Sequence, residues 1–195
     1  MKKSLLFLLF TLLVIPLSSF APGNSDEIVS RERNWFTCMK CFTVFYGGRQ
    51  SQGVCKAGGE HQRGSVELLL NMTDCSDCYS DNCSDQFYFC KNCSSLFYTP
   101  DKSKSAPCAA GGKHAAENWD FKYYLTKYRG PDKPVFKDEN VNGKQECRFD
   151  GYICKNCHCY LTSEGGGQPC AGGKTHDANM SYKFFVLAAD SPCGF

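Results

Sequence analysis

Phe87-Tyr88-Phe89-Cys90-Lys91-Asn92-Cys93-Ser94-Ser95-Leu96-Phe97-Tyr98, resumed at Cys108-Ala109-Ala110-Gly111-Gly112-Lys113-His114, is the stretch that decides the fold. It occurs three times. Upstream, Trp35-Phe36-Thr37-Cys38-Met39-Lys40-Cys41-Phe42-Thr43-Val44-Phe45-Tyr46 leads to Cys55-Lys56-Ala57-Gly58-Gly59-Glu60-His61. Downstream, Gly151-Tyr152-Ile153-Cys154-Lys155-Asn156-Cys157-His158-Cys159-Tyr160-Leu161-Thr162 leads to Cys170-Ala171-Gly172-Gly173-Lys174-Thr175-His176. The shared pattern is aromatic-x-Cys-x2-Cys-x3-apolar, a gap, then Cys-x5-His around a Gly-Gly pair. The gap is 13, 14 and 12 residues in turn, as expected of a loop between two fixed elements. Self-similarity at this spacing is the mark of a repeat architecture.

A period-two alternation follows each histidine: Val66, Leu68, Leu70; then Phe121, Tyr123, Leu125; then Tyr182, Phe184, Val186. Aromatic and β-branched residues at this period predict half-buried strands. The expected fold is therefore small and mostly β, three tandem zinc-ribbon-like or knuckle-like modules with irregular linkers. The divisions read as repeat 1 over 34–72, a Cys-rich linker over 73–85 and repeat 2 over 86–128. A linker over 129–146 and repeat 3 with a C-terminal tail over 147–195 complete the chain.

Three of the four histidines fall at one position of the repeat. Each repeat thus offers three cysteines and a histidine: Cys38, Cys41, Cys55, His61; Cys90, Cys93, Cys108, His114; Cys154, Cys157, Cys170, His176. A CxxC turn places two sulfurs on one ion, and zinc favours four tetrahedral ligands of thiolate and imidazole. Three structural Zn²⁺ sites are the expected cofactors. The competing expectation is disulfides, the usual fate of secreted cysteines, with the histidines serving the turns alone. Fifteen cysteines cannot all pair within one chain, and pairing inside a repeat would strand one of its three. Cys75, Cys78, Cys83, Cys147, Cys159 and Cys193 lie outside the ligand sets and are the disulfide candidates, with connectivity open.

Lys2 and Lys3 precede an apolar stretch over 4–17, followed by Ser18, Ser19, Ala21 and Gly23. That order predicts a signal peptide over 1–23, and hence an extracellular location. A polar lead-in spans 24–33. Of 22 basic residues, the leader holds two and no acid, so the remainder carries 20 of each sign. A neutral chain argues against nucleic acid as a partner, and no later apolar run is long enough to span a bilayer.

Asn71, Asn82 and Asn179 head glycosylation sequons; Asn92 heads a fourth, between two ligand cysteines, and is expected unmodified. Cys154-Lys155-Asn156-Cys157-His158 matches the haem-attachment spacing, but the repeat already accounts for both cysteines, and no strand–helix alternation supports a redox reading of the CxxC. With no HExxH, GxSxG or phosphate loop, the chain is expected not to be an enzyme.

The CxxCxx-[LV]-F-Y and Cys-x-Ala-Gly-Gly-x-His elements, with the strand after them, resemble a short tandem Cys/His repeat of secreted bacterial and some eukaryotic proteins, sometimes attached to secreted hydrolases. The third copy departs at Cys159 and Thr162. The reading that follows is a secreted, zinc-stabilised binding module for a glycan or an extracellular protein. The alternatives are a disulfide-stapled effector or defence protein without metal, and a metal buffer. The last is disfavoured because the repeats keep aromatics as well as ligands.

Overall fold

A computed structural model describes residues 31–72, 83–128, 148–162, 167–179 and 181–189. Among these the chain forms β1 (Arg31–Cys38), β2 (Val44–Tyr46), β3 (Arg63–Asn71), β4 (Cys83–Phe89), β5 (Leu96–Tyr98), β6 (Tyr123–Tyr128), β7 (Arg148–Ile153), β8 (Tyr160–Thr162) and β9 (Lys183–Ala188). A single 3-10 turn at Lys102–Lys104 is the only helical element among the described residues. Asp101 caps it, accepting from the Ser103 amide. The mostly-β expectation holds. The last residues of the lead-in and of the first linker already belong to β1 and β4; the second linker lies outside the described residues.

Each repeat builds the same three strands. A hairpin encloses the CxxC turn, pairing Thr37 with Val44, Phe89 with Leu96, and Ile153 with Tyr160. The turn closes identically each time, with the amide of the residue after the second cysteine donating to the first cysteine's carbonyl at 2.8 Å. That residue is Phe42, Ser94 or His158, at φ 56°, 61° and 57°. Three unlike side chains share the left-handed region, so the turn imposes it against a steric cost of about 1–2 kcal/mol.

The strand after each histidine pairs with its own hairpin and also with its counterparts. Leu69 of β3 faces Leu187 of β9, Lys127 of β6 faces Phe184 of β9, and Asn71 of β3 faces Tyr124 of β6. The alternating residues read from the sequence all reach the resulting core: Leu68, Leu70, Tyr123, Leu125, Phe184 and Val186 are buried, with Val66, Phe121 and Tyr182 packed against them. One core serves all three repeats, which burial arithmetic favours over three separate small ones.

The hairpins close a second ring. The Tyr46 amide of repeat 1 donates to Ser94 O at 2.8 Å, Tyr98 of repeat 2 to His158 O at 2.9 Å, and Thr162 of repeat 3 back to Phe42 O at 3.3 Å. Each repeat therefore uses the same donor on the next, and the third returns to the first.

Core volume is kept by exchange between diagonal positions of each hairpin, two residues off the paired register. Trp35 and Phe87, three residues before the first cysteine, share the core with the smaller Val44 and Leu96. In repeat 3 the order is reversed: Gly151 stands where the large ring would be, and Tyr160 is fully buried in its place. A Cβ at Gly151 would sit 2.3 Å from the Tyr160 ring.

Candidate metal centres

Each hairpin turn brings two cysteines to one side, and the loop before the third strand brings the Cys-x5-His pair to meet them. The three predicted quartets form, every member is buried, and within each quartet the ligand atoms lie within 4.8 Å of one another. Cys38 Sγ is 3.8 Å from Cys55 Sγ, Cys90 Sγ 3.9 Å from Cys108 Sγ, and Cys154 Sγ 3.7 Å from Cys170 Sγ. The histidines all turn Nδ1 inward, at 3.6 Å from Cys41 Sγ, 3.6 Å from Cys93 Sγ and 3.5 Å from Cys157 Sγ. Four donors at these separations enclose a space suited to one metal ion, with no fifth polar side chain in the set.

The Gly-Gly pair explains the second arm. Cys55 N donates to Gly59 O and Gly58 N to Cys55 O, and the loop after Cys108 repeats both bonds. In the third copy the pair sits one residue early, yet the loop keeps its shape. Gly173 and Lys174 take the positive φ values, 91° and 54°. The displaced Gly172 passes so close to Asn156 O that a Cβ would lie 2.5 Å from it.

The outer side of each imidazole differs. Phe45 stacks on His61 at 4.7 Å and Phe97 on His114 at 4.8 Å, whereas Leu161 occupies that position in repeat 3. His61 Nε2 meets Cys93 O at 3.1 Å and Ser95 Oγ at 3.4 Å, both from repeat 2. His114 Nε2 meets Cys159 Sγ of repeat 3 at 3.4 Å. His176 Nε2 is buried with no partner among the described residues. With Nδ1 turned to a metal, Nε2 carries the ring proton, so these contacts orient the ligand from outside the shell.

Protons are unevenly shared in the metal-free clusters. Hydrogen bonding from Cys41, joined by His61, draws the Cys38 thiol down to about 3 against its burial, and Cys41 is pushed far up by the same bond and by burial. Cys90 and Cys154 fall well below the thiol range through hydrogen bonds from Cys108 and Cys93 and from Cys157 and Cys170. Burial works to lower His61 and His114, but hydrogen bonds with Cys38 and Cys55, and with Cys108 and Cys90, outweigh it and raise both to about 9. A metal entering these clusters must displace protons, since its ligands bind as thiolate and neutral imidazole.

The ten cysteines described with their side chains are all free thiols. Cys159, one of the disulfide candidates, is buried against His114, in the position that Thr43 and Ser95 hold in the other copies. Cys75, Cys78, Cys147 and Cys193 lie outside the described residues, as does the side chain of Cys83. Asn71 sits in β3 with its carboxamide oxygen buried, Asn179 accepts from the Ser181 amide, and Asn82 lies outside the described residues. The haem-like spacing is absorbed by the third quartet, with His158 outside it. The stacked Phe45 and Phe97 were legible only as a recurring apolar position; the outer-nitrogen partners left no signal, because each comes from another repeat. No helix among the described residues is long and apolar enough to cross a membrane.

No protein-family model, curated protein or solved structure matches the chain.

Proposed function

We propose that the chain is a secreted, non-enzymatic recognition protein whose scaffold is organised by three structural zinc ions. The observation that carries the reading is the three buried Cys3His quartets. For zinc with Zn–S of about 2.3 Å and Zn–N of about 2.0–2.1 Å, tetrahedral geometry requires S···S near ~3.8 Å and S···N near ~3.6 Å. The clusters have 3.7–3.9 Å and 3.5–3.6 Å. A disulfide would need its sulfurs about 2.05 Å apart. All four zinc positions would be filled by protein, which suits a folding device better than a hydrolytic centre. Extracellular location rests on the leader over 1–23. The ligand class is a glycan or an extracellular protein, gripped by loops and aromatic side chains between the repeats.

Intact mass under native and denaturing conditions, on full chain from a secreting host without chelator, tests the scaffold. Three zinc ions lost on acidification are expected. No metal, with the quartet cysteines oxidised, would overturn the reading in favour of a disulfide-stapled effector. Glycan and extracellular-protein arrays test recognition; no saturable binder on either would remove that half of it.

A further inference from the structure

The seam between repeats 1 and 2 opens into a cleft of about 330 Å³, lined chiefly by Glu32, Tyr46, Arg49, Phe89, Glu117 and Tyr123. Tyr46 and Tyr123 are repeat positions, but Glu32 and Phe89 are not. At the distance of Glu32 from the first cysteine, the other copies carry Ser84 and Arg148; in place of Phe89 they carry Thr37 and Ile153. Neither Glu32 nor Phe89 belongs to a metal quartet.

The walls are fixed from beneath. Trp35 is fully buried and meets Tyr46, Phe89 and Tyr123 edge to face at 5.3, 6.2 and 5.1 Å. Glu32 is held by one oxygen: Oε2 accepts from Trp35 Nε1–H at 2.9 Å and from the Tyr123 hydroxyl at 2.5 Å. Oε1 takes no hydrogen bond from the described residues. Burial and the Glu32 contact hold the Tyr123 phenol well above its usual range, so it stays a donor. At the rim, Arg49 pairs with both Glu117 oxygens at 2.5 Å while its guanidinium lies 4.7 Å over the Phe89 ring. Arg49 and Glu117 cancel, which leaves Glu32 as the unbalanced charge. Arg49 also shows that a cation already rests on one aromatic wall.

We propose that this cleft binds an organic ammonium group, either a free amine or a lysine side chain of a partner protein. Aromatic faces attract such cations through the ring quadrupole, and Glu32 Oε1 supplies the opposite charge. A neutral sugar would stack and donate a hydroxyl to Glu32 Oε1, but it brings no positive charge to set against the carboxylate. An anion would meet two carboxylates. The volume is at the small end for ligand pockets, the size of a head group rather than an oligosaccharide. The proposal names the grip of the recognition protein described above and so rests on that reading.

The test uses the full, metal-loaded chain, with n-butylammonium and choline as probes and 3,3-dimethylbutanol as the neutral isostere of choline. The indole N–H resonance of Trp35 and calorimetry report binding. Both cations should saturate, and the isostere should bind at least tenfold more weakly. Glu32→Gln keeps an acceptor for Trp35 and Tyr123; it should weaken cation binding tenfold or more while the metal count stays at three. No cation binding at tens of millimolar, or equal binding of the isostere, overturns the proposal on the unaltered protein whatever the variant does. A lysine peptide binding more tightly than n-butylammonium, and losing that on acetylation, supports a protein-borne ligand; saturation by free amines alone supports a small molecule. Three bound metals without cation binding refute the cleft alone, whereas a metal-free chain refutes the scaffold reading.

Discussion

The histidines of the three candidate metal quartets differ in what stands behind them, and that difference should grade the sites. His61 is backed by a carbonyl, His114 by a thiol, which is a weak acceptor, and His176 Nε2 by nothing among the described residues. Loss of such outer support typically costs about 10–100-fold in metal affinity. Competition with a chelator, followed by native mass spectrometry and site-resolved NMR, should therefore find the third quartet emptying first and the first quartet last. Cys159→Ser gives repeat 2 the hydroxyl that repeat 1 has in Ser95, and should slow metal release from the second site by severalfold. An unchanged order, or simultaneous release from equal sites, would remove the outer nitrogens from the account. The ligands themselves were legible because chemistry fixes their spacing. Their supports were not, since the sequence places Cys93 and Cys159 in other repeats and nothing local links them to His61 or His114.

At the scale of strands, the repeats conserve volume rather than residue identity. Trp35 with Val44 and Phe87 with Leu96 put the large ring on the first strand; Gly151 with Tyr160 puts it on the second. Gly151→Ala drives a methyl into the Tyr160 ring and also within 2.4 Å of Leu161 O, which is backbone. Overpacking of this kind costs about 1–3 kcal/mol, and thermal unfolding of the metal-loaded protein should show it as a lowered midpoint. Lys174→Gly should act oppositely, raising stability by up to about 1 kcal/mol, because a side chain at its φ of 54° is disfavoured. The nine alternating residues after the histidines could be read directly, since period two is a local signal. The ring exchange between Gly151 and Tyr160 could not, because it has meaning only once the hairpin register is known.

Over the whole molecule, the three seams make the repeats mutually dependent. Cys157→Ser should reduce the metal count from three to two. It should also speed amide hydrogen exchange at Tyr98 and Thr162, which bond across the two seams of repeat 3, while Tyr46 at the remaining seam stays the better protected. Faster exchange confined to residues 148–189 would mean instead that the repeats fold as separate beads. Separate beads are what tandem spacing suggests: the closing bonds run backbone to backbone, and the side-chain contacts across the seams, such as Thr37 Oγ1 with Thr162 Oγ1, join residues far apart in the sequence. The cleft between repeats 1 and 2 was hidden for the related reason that Glu32 and Phe89 depart from what the other copies carry. Closure has one more effect, on heredity. Open arrays of repeats gain and lose units by recombination, since each new copy needs only a neighbour on either side. Here Thr162 also bonds Phe42, so a duplicated or deleted unit would have to re-form the closing seam at a new angle between every pair of neighbours. Homologous chains should therefore vary in loop length more readily than in the number of units that make up the ring.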